Sequence, residues 1–397
     1  MTRLAALFAT LLLLAPLSVA AQSGAAGRSI SEYREASPAA RDARIAEMLS
    51  ELPGGTPAID AESGEVTFFY LAETPDTSVS VRGDFTPSAP MRFDWSETGV
   101  AMMPVVPGGR LFALTRTFEA DARIDYQLVV NGKAQVDPGN IRNRDGGIYG
   151  QTSELVMPGY DEPGLSVAWN APPKGRFETV SGDVLHGPRA RVYLPEGYDP
   201  ARRYPVIYVP DGAAWDSYFH FGQTLDTLIS AGRMAPAIAV LMDAPPDRSR
   251  FYGYGAQDYL DYVSAVVAWV DGHYPTIRDR AARAHLGTSA GGRAALHAGY
   301  ALPDTFGLIG MMSPSFRAPE GVTPPDLEEP SPFPEGTRFW VSSGSYERRI
   351  DESARKAAAL LTERGYDVTT HYTHEGHSLA TWRNMLPDLL ETFFPPD

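Results

Sequence analysis

Cysteine is absent from all 397 residues. That excludes disulfides, thiolate metal sites and a cysteine nucleophile, and leaves packing to stabilise the fold. Basic residues are also in short supply: 34 Lys and Arg stand against 49 Asp and Glu, a net charge of −15, without a basic patch or an acidic tail. Such a balance argues against nucleic acid and anionic membranes as partners. An anionic ligand would need a local arginine cluster working against the global field. Long apolar runs are missing beyond Leu17, and the run from Leu4 to Leu17 falls short of the ~20 residues a spanning helix needs. With Arg3 before it and Ser18, Ala20 and Ala21 after it, residues 1–21 read as a secretory signal peptide cut after Ala21. The protein is therefore expected to be exported, periplasmic or extracellular, with no membrane partner.

The chain is too long for one core, and its text changes character along its length. Residues 22–60 form an N-terminal arm, in which Ile30, Tyr33, Ala40, Ile45, Met48 and Leu49 have helical spacing before the PGG break at 53–55. Across 61–160 come short alternating runs, VTFFYLA, SVSVRGDF, LFALTRTF and IDYQLVVNG, separated by turn signals, which predict an all-β sandwich. The proline- and glycine-rich stretch 161–175 reads as a linker. From 176 to 397 strand-like and helix-like segments alternate, which predicts an α/β fold with a mostly parallel sheet covered by helices on both faces. Ligands in such sheets bind beyond the carboxyl ends of the strands.

Residues 287–291 read GTSAG, between the apolar AHL and a helix-forming run. Glycines two before and two after a serine allow the sharp strand-to-helix turn that exposes a nucleophile, so Ser289 is the candidate. A neutral hydroxyl needs a base and a group that orients that base. The expected chain order is serine, acid, histidine. His377, in EGHS after the last predicted strand, can reach back over the sheet, whereas His297 falls on the helix after the elbow. For the acid, Glu347 stands closest to the end of the strand FWVSSG, and Asp351 is the second choice, better placed to open the next helix. The oxyanion donors expected are the backbone N–H of Ala290 and of Gly212 or Ala213 in PDGAAW. His371, His374 and His377 are three apart, but 371 and 374 point to opposite faces of a strand and no HExxH accompanies them, so no metal and no cofactor are expected.

Several segments carry a family resemblance: YLPEGYDPARRYPVIYVPDGAAW, VLMDAPPDRSR, GTSAGGRAAL, SPSF and EGHSLATWRNML. Over residues 160 to 395 the chain resembles the enterochelin-esterase group of α/β-hydrolases, which shares its fold with feruloyl and acetylxylan esterases. The GHxxxxWR signature, here Gly376, His377, Trp382 and Arg383, is its most specific piece. In feruloyl-esterase relatives the acid is an aspartate three residues after a glycine. Glu347 falls on that position after Gly344, with Glu in place of Asp. The sequence from VSVRGDFTP to SELVMPGY resembles the early-set immunoglobulin-like domain that precedes such enzymes. In glycan-binding relatives that domain would make Trp95, Phe85 or Tyr149 stacking platforms, against a plain packing role.

The resemblance implies a serine esterase acting on a siderophore trilactone or, alternatively, a feruloyl or acetylxylan esterase acting on plant polysaccharide. A more distant reading is a non-catalytic glycan-binding protein on a hydrolase scaffold. The expected partner is a small-molecule or polysaccharide-linked ester, and the sequence specifies no oligomeric state. Arg248, Arg250, Arg293, Arg317 and Arg383 lie near the motif loops with Trp215, Tyr252 and Trp382. Of these, Trp215, Arg250, Tyr252, Arg293, Trp382 and Arg383 are the candidates for a pocket holding an aromatic or anionic acyl group.

Overall fold

The computed structural model describes residues 33–51, 55–87, 95–145, 149–163, 167, 171–253, 256–316 and 333–396. The predicted signal peptide and Arg317 lie outside the described residues. In the N-terminal arm a helix spans Pro38–Glu51. Ile45 and Tyr33 pack there with Phe69 and Leu111 from the β region.

The β region folds as two antiparallel sheets. One runs in the order Ala58–Ile59, Glu65–Leu71, Leu111–Thr117, Met103–Pro104, and the other Val100–Ala101, Val79–Gly83, Arg123–Val130, Gln151–Val156, Asn143–Asp145. Alternate residues of both sheets share one apolar core, Val66 and Phe68 from the first meeting Val81, Ile124, Tyr126 and Leu128 from the second. Val79–Gly83 shows the expected period of two, buried at every other position. Arg123–Val130 departs from it: Ile124, Tyr126 and Leu128 fill the core, yet Arg123, Asp125 and Gln127 on the opposite face are also buried. That polar face is covered by protein rather than water.

Eight strands form the large sheet: β1 (Arg176–Val180), β2 (Ala190–Leu194), β3 (Val206–Pro210), β4 (Ile238–Met242), β5 (Arg283–Thr288), β6 (Leu308–Met312), β7 (Arg338–Gly344) and β8 (Asp367–Thr373). Their order is β1-β2-β4-β3-β5-β6-β7-β8, with β2 antiparallel to both neighbours and the remainder parallel. Six helices matter for the site: α1 (Gly212–Ser217), α2 (Phe221–Ser230), α3 (Gln257–His273), α4 (Ala290–Ala301), α5 (Arg349–Glu363) and α6 (Leu379–Phe393).

Because both faces of the sheet are covered, the central strands are buried throughout, as VIYVP in β3 and IAVLM in β4 are. Val206 and Tyr208 pack with α3 and α4 on one face, while Ile207 and Val209 pack with α2 and α6 on the other. α5 joins the α4 face through Ala354, Ala357 and Leu361 against Ile309 and Val341. No helix among the described residues is long and apolar enough to cross a membrane.

Candidate active site

Four non-glycine residues with positive φ stand where the chain leaves the carboxyl ends of the central strands: Asp211 after β3, Ser289 after β5, Ser313 after β6 and Arg348 beyond β7. Backbone held in such sparsely populated regions persists only where its surroundings enforce it, and it concentrates at functional sites.

Ser289 lies at φ 52°, ψ −119°, between β5 and α4. A Cβ at Gly287 would come within 2.2 Å of the Gly291 carbonyl oxygen, so that glycine is dictated by close approach inside the elbow. A Cβ at Gly291 would stand 3.1 Å from Pro210 Cγ and 3.3 Å from the Asp211 carboxylate. The loop after β3 therefore lies directly against the elbow. The Ser289 N–H donates to Met312 O (2.9 Å), and Ser289 O accepts from Ser315 N–H (2.9 Å), tying the turn to the end of β6.

His377 comes from the loop between β8 and α6. Its Nε2 is 3.0 Å from Ser289 Oγ and its Nδ1 is 2.6 Å from Glu347 Oε2. Glu347 is fully buried in the short helical turn after β7; its other oxygen accepts from Ser313 Oγ (2.6 Å) and Gly344 N–H (2.9 Å). Trp382, on the first turn of α6, sets its ring perpendicular to the imidazole at 4.7 Å and donates from Nε1 to Ser313 Oγ (2.8 Å). The structure thus brings Glu347, and not Asp351, to His377. Asp351 opens α5, where it accepts from Ser343 Oγ and Arg355 Nε.

The N–H groups of Ala290 and Gly212 head α4 and α1, where a helix offers them no internal acceptor. Gly212 is buried, and Ala213 is exposed beside it. A Cβ at Gly212 would collide with the Leu241 backbone at 2.7 Å. Asp211 is gripped by Arg248 through Nε and Nη2, both at 2.6 Å, and its N–H donates to the Tyr252 hydroxyl at 3.1 Å. Ser313 is a supporting residue that motif reading does not single out, and Arg248 appears there only among the arginines near the motif loops, outside the chosen candidates. The paired signal for Arg248 was PDG in one loop and DRSR in another, joined only by the fold.

The expected substrate pocket is redrawn. Trp215 is fully buried against Phe219 and Phe221 in the core, so it cannot wall a pocket. Arg250 points outward and pairs with Asp258 and Asp247, and it is Arg248, two residues earlier, that turns to the loop. Tyr252 is buried under Asp211, and Arg293 is buried with Nε donating to Tyr252 O and Nη1 to Ser315 O. Both act as scaffold. Trp95 is likewise buried, stacked on Tyr149 at 3.9 Å and donating to Asp84; Phe85 packs at the sandwich core. Arg383 differs from these. It lines a cleft between the sandwich and α6 with Arg123, Arg142 and Arg144, faced by Glu154 and Glu162. Burial, then the nearby charges of Arg123 and Arg144, push its guanidinium below the ordinary value.

The three neighbouring histidines face different carboxylates: His371 Asp388, His374 Asp121 and His377 Glu347. Among the described residues no three His, Asp or Glu side chains converge in a way that could hold a metal ion.

An eight-stranded sheet of this order, with a serine on a strained elbow after β5 and a histidine after β8, defines an α/β-hydrolase. The chain belongs to the Esterase family, whose model matches residues 185–393, and it is an ester hydrolase. The iron(III) salmochelin esterase of Escherichia coli O6:H1 is 26% identical over 388 residues, 87% of this chain and 91% of that protein. The iron(III) enterobactin esterase of Escherichia coli K12 is 26% identical over 285 residues, 66% of this chain and 68% of its own. In fold the chain is similar to the enterobactin esterase of Shigella flexneri (TM-score 0.65, 20% identity, covering 83% of this chain and 92% of that one). It is also similar to the ferric enterobactin esterase of Salmonella typhimurium (TM-score 0.67, 20% identity, covering 83% and 93%).

Proposed function

We propose that the protein is an exported serine esterase that hydrolyses a catecholate trilactone of the enterobactin type. Its catalytic residues are Ser289, His377 and Glu347. As Ser289 Oγ attacks the ester carbonyl, His377 Nε2 accepts its proton, and Glu347 holds the imidazole with the other proton on Nδ1. The developing oxyanion is received by the N–H of Ala290 and of Gly212 or Ala213. The C–O bond then breaks, His377 returns the proton to the departing alkoxide, and water releases the acyl group by the same steps in reverse. The observation that carries this reading is the unbroken series from Ser289 Oγ through His377 to Glu347 at 3.0 and 2.6 Å.

The trilactone substrate is supported by the relatives named for enterobactin and salmochelin. It is supported too by the cleft in which Arg142, Arg144 and Arg383 gather, the first two facing Glu162 and Glu154, in a chain of net charge −15 where a polyanionic catecholate would need such a local cluster. The sandwich ahead of the catalytic unit is proposed to be of the early-set immunoglobulin-like type. Export is proposed from residues 1–21 and is tested by fractionation with N-terminal sequencing of the mature protein.

The decisive assay compares hydrolysis of a catecholate trilactone, a ferulate ester and nitrophenyl acetate by wild type and Ser289→Ala. The trilactone should be preferred by the wild type. Ser289→Ala should lose on the order of 10⁴-fold or more in kcat on every ester. Turnover of none of them, with no labelling of Ser289 by a fluorophosphonate, would sink the serine-esterase reading.

A further inference from the structure

The polar face of the sandwich strand Arg123–Val130 is buried because the loop that carries His377 lies on it. The Arg123 N–H donates to His374 O at 3.0 Å. Its guanidinium Nη1 reaches Glu375 Oε2 at 3.4 Å and Ser378 Oγ at 3.5 Å, the residues two before and one after His377. Within the sandwich the same guanidinium is fixed by Glu154 Oε1 (2.5 Å) and Asp125 Oδ1 (3.0 Å). The side chains of Arg123, Asp125, Glu154 and Glu375 are at most 3% exposed. The far oxygen of Glu375 accepts from Tyr160 OH (3.2 Å), which in turn accepts from Asn384 Nδ2 (2.9 Å) on α6.

A second contact is steric. A Cβ built on Gly376 would fall 2.0 Å from the carboxyl carbon of Asp84, so the sandwich side chain abuts the backbone one residue before His377. The acid is held from the same side. Tyr346, just ahead of Glu347, packs at the edge of the sandwich core, donates from its hydroxyl to Glu119 Oε2 (2.6 Å) and from its N–H to Glu375 O (3.2 Å). A Cβ at Gly344 would meet that same Glu375 carbonyl at 2.1 Å, so the two loops leave no room between them.

We propose that the β-sandwich is a working part of the active site, in which Arg123 and Asp84 are positioning residues that set the histidine loop through Glu375, Ser378 and Gly376. This rests on the serine-hydrolase reading above. A catalytic hydrogen bond misplaced by about 1 Å loses on the order of a hundredfold in rate, so a fixed loop is worth having. Arginine suits the central place because its planar fork serves several oxygens at once, which the point charge of lysine does not.

The test uses the full chain and four variants, Arg123→Lys, Gly376→Ala, Asp84→Ala and the Asp84→Ala/Gly376→Ala pair. Each is followed by circular dichroism, kcat and KM on nitrophenyl acetate, the labelling rate of Ser289 by a fluorophosphonate, and the low-field proton resonance of His377 Nδ1–H. Arg123→Lys and Gly376→Ala should lower kcat and the labelling rate together by about tenfold to a hundredfold, leave KM within about twofold, and weaken or shift the Nδ1–H resonance. Removing the Asp84 carboxyl should return to Gly376→Ala most of the activity lost relative to Asp84→Ala. Folded Arg123→Lys and Gly376→Ala with wild-type kcat and an unmoved resonance would overturn the proposal. So would a Gly376→Ala defect that the Asp84 change does not relieve. If Arg123→Lys does not fold, the Gly376 and Asp84 pair decides alone. Failure of wild-type Ser289 to label at all counts against the serine-hydrolase reading and is distinct from these outcomes.

Discussion

The two loops that meet at Ser289 are anchored in opposite ways. The loop after β3, which offers Gly212 and Ala213, is fixed from within the catalytic unit: Arg248 grips Asp211 and Tyr252 closes over it. The loop after β8, which offers His377, is fixed largely from outside, by Arg123, Asp84 and Tyr160 of the sandwich and the segment that follows it. Half of the site is therefore built by the hydrolase fold itself, and half depends on how the two units dock. Damage to the first half should stay local, whereas the second half should feel changes in a strand that never approaches substrate.

The largest effect is expected at the core of the histidine half. Glu347→Ala leaves His377 Nδ1 without its acceptor and frees the ring to turn, and should lower kcat/KM on nitrophenyl acetate by about 10³- to 10⁴-fold. Asp351→Ala should stay within about twofold, because Asp351 serves Ser343 and Arg355 at the start of α5. The reverse ranking in steady-state assays would show that a different carboxylate orients the base.

An intermediate effect is expected on the oxyanion side. Arg248→Gln removes the bidentate partner of Asp211 and should loosen the turn that aims the Gly212 N–H, lowering kcat by roughly tenfold to a hundredfold. The comparison predicts more than the size. If the two halves are anchored independently, Arg248→Gln and Gly376→Ala should combine additively in activation free energy, to within ~0.5 kcal/mol. A larger coupling, read from kcat of the two single variants and the double variant, would mean that the halves share a support.

How much of this was legible in the sequence differed between the same two halves. GTSAG pointed to Ser289 because the elbow is a local device, enforced by Gly287 and Gly291 within five residues. His377 and Glu347 were legible because chain order and loop position restrict the choices. Trp215 and Arg250 turn away from the site for a physical reason: a loop motif says that they lie near the strand ends but not which way they turn, and helix phase sends one into the core and the other to solvent. The sandwich strand RIDYQLVV shows the same limit. Alternation assigns Arg123, Asp125 and Gln127 to the face away from the core, and a polar face normally means water. Only the docking of a loop 250 residues further on shows that the face is an interface.

That buried face also sets an effect outside catalysis, on stability alone. One guanidinium serves three carboxylates there, and Asp84 adds a fourth nearby. Burial, with the neighbouring charge of Asp125, pushes the Asp84 carboxyl up to about 8, from 3.8 ordinarily, and burial raises Glu375 in the same direction. Below about pH 4 both folded and unfolded chains carry the Asp84 proton. Between about 4 and 8 the folded chain keeps a proton that the unfolded chain releases, so stability falls as pH rises through that window, by no more than ~1.4 kcal/mol per pH unit for one group. Asp84→Asn keeps the shape and an acceptor for Trp95 Nε1, gives up at every pH the acceptor for the Asp125 N–H, and has no proton to lose, so it should flatten the part of the slope that Asp84 contributes. Urea unfolding from pH 5 to 8 measures it. An unchanged slope in Asp84→Asn would place the retained proton on another member of the cluster, and the histidine loop would then rest on a charged Asp84.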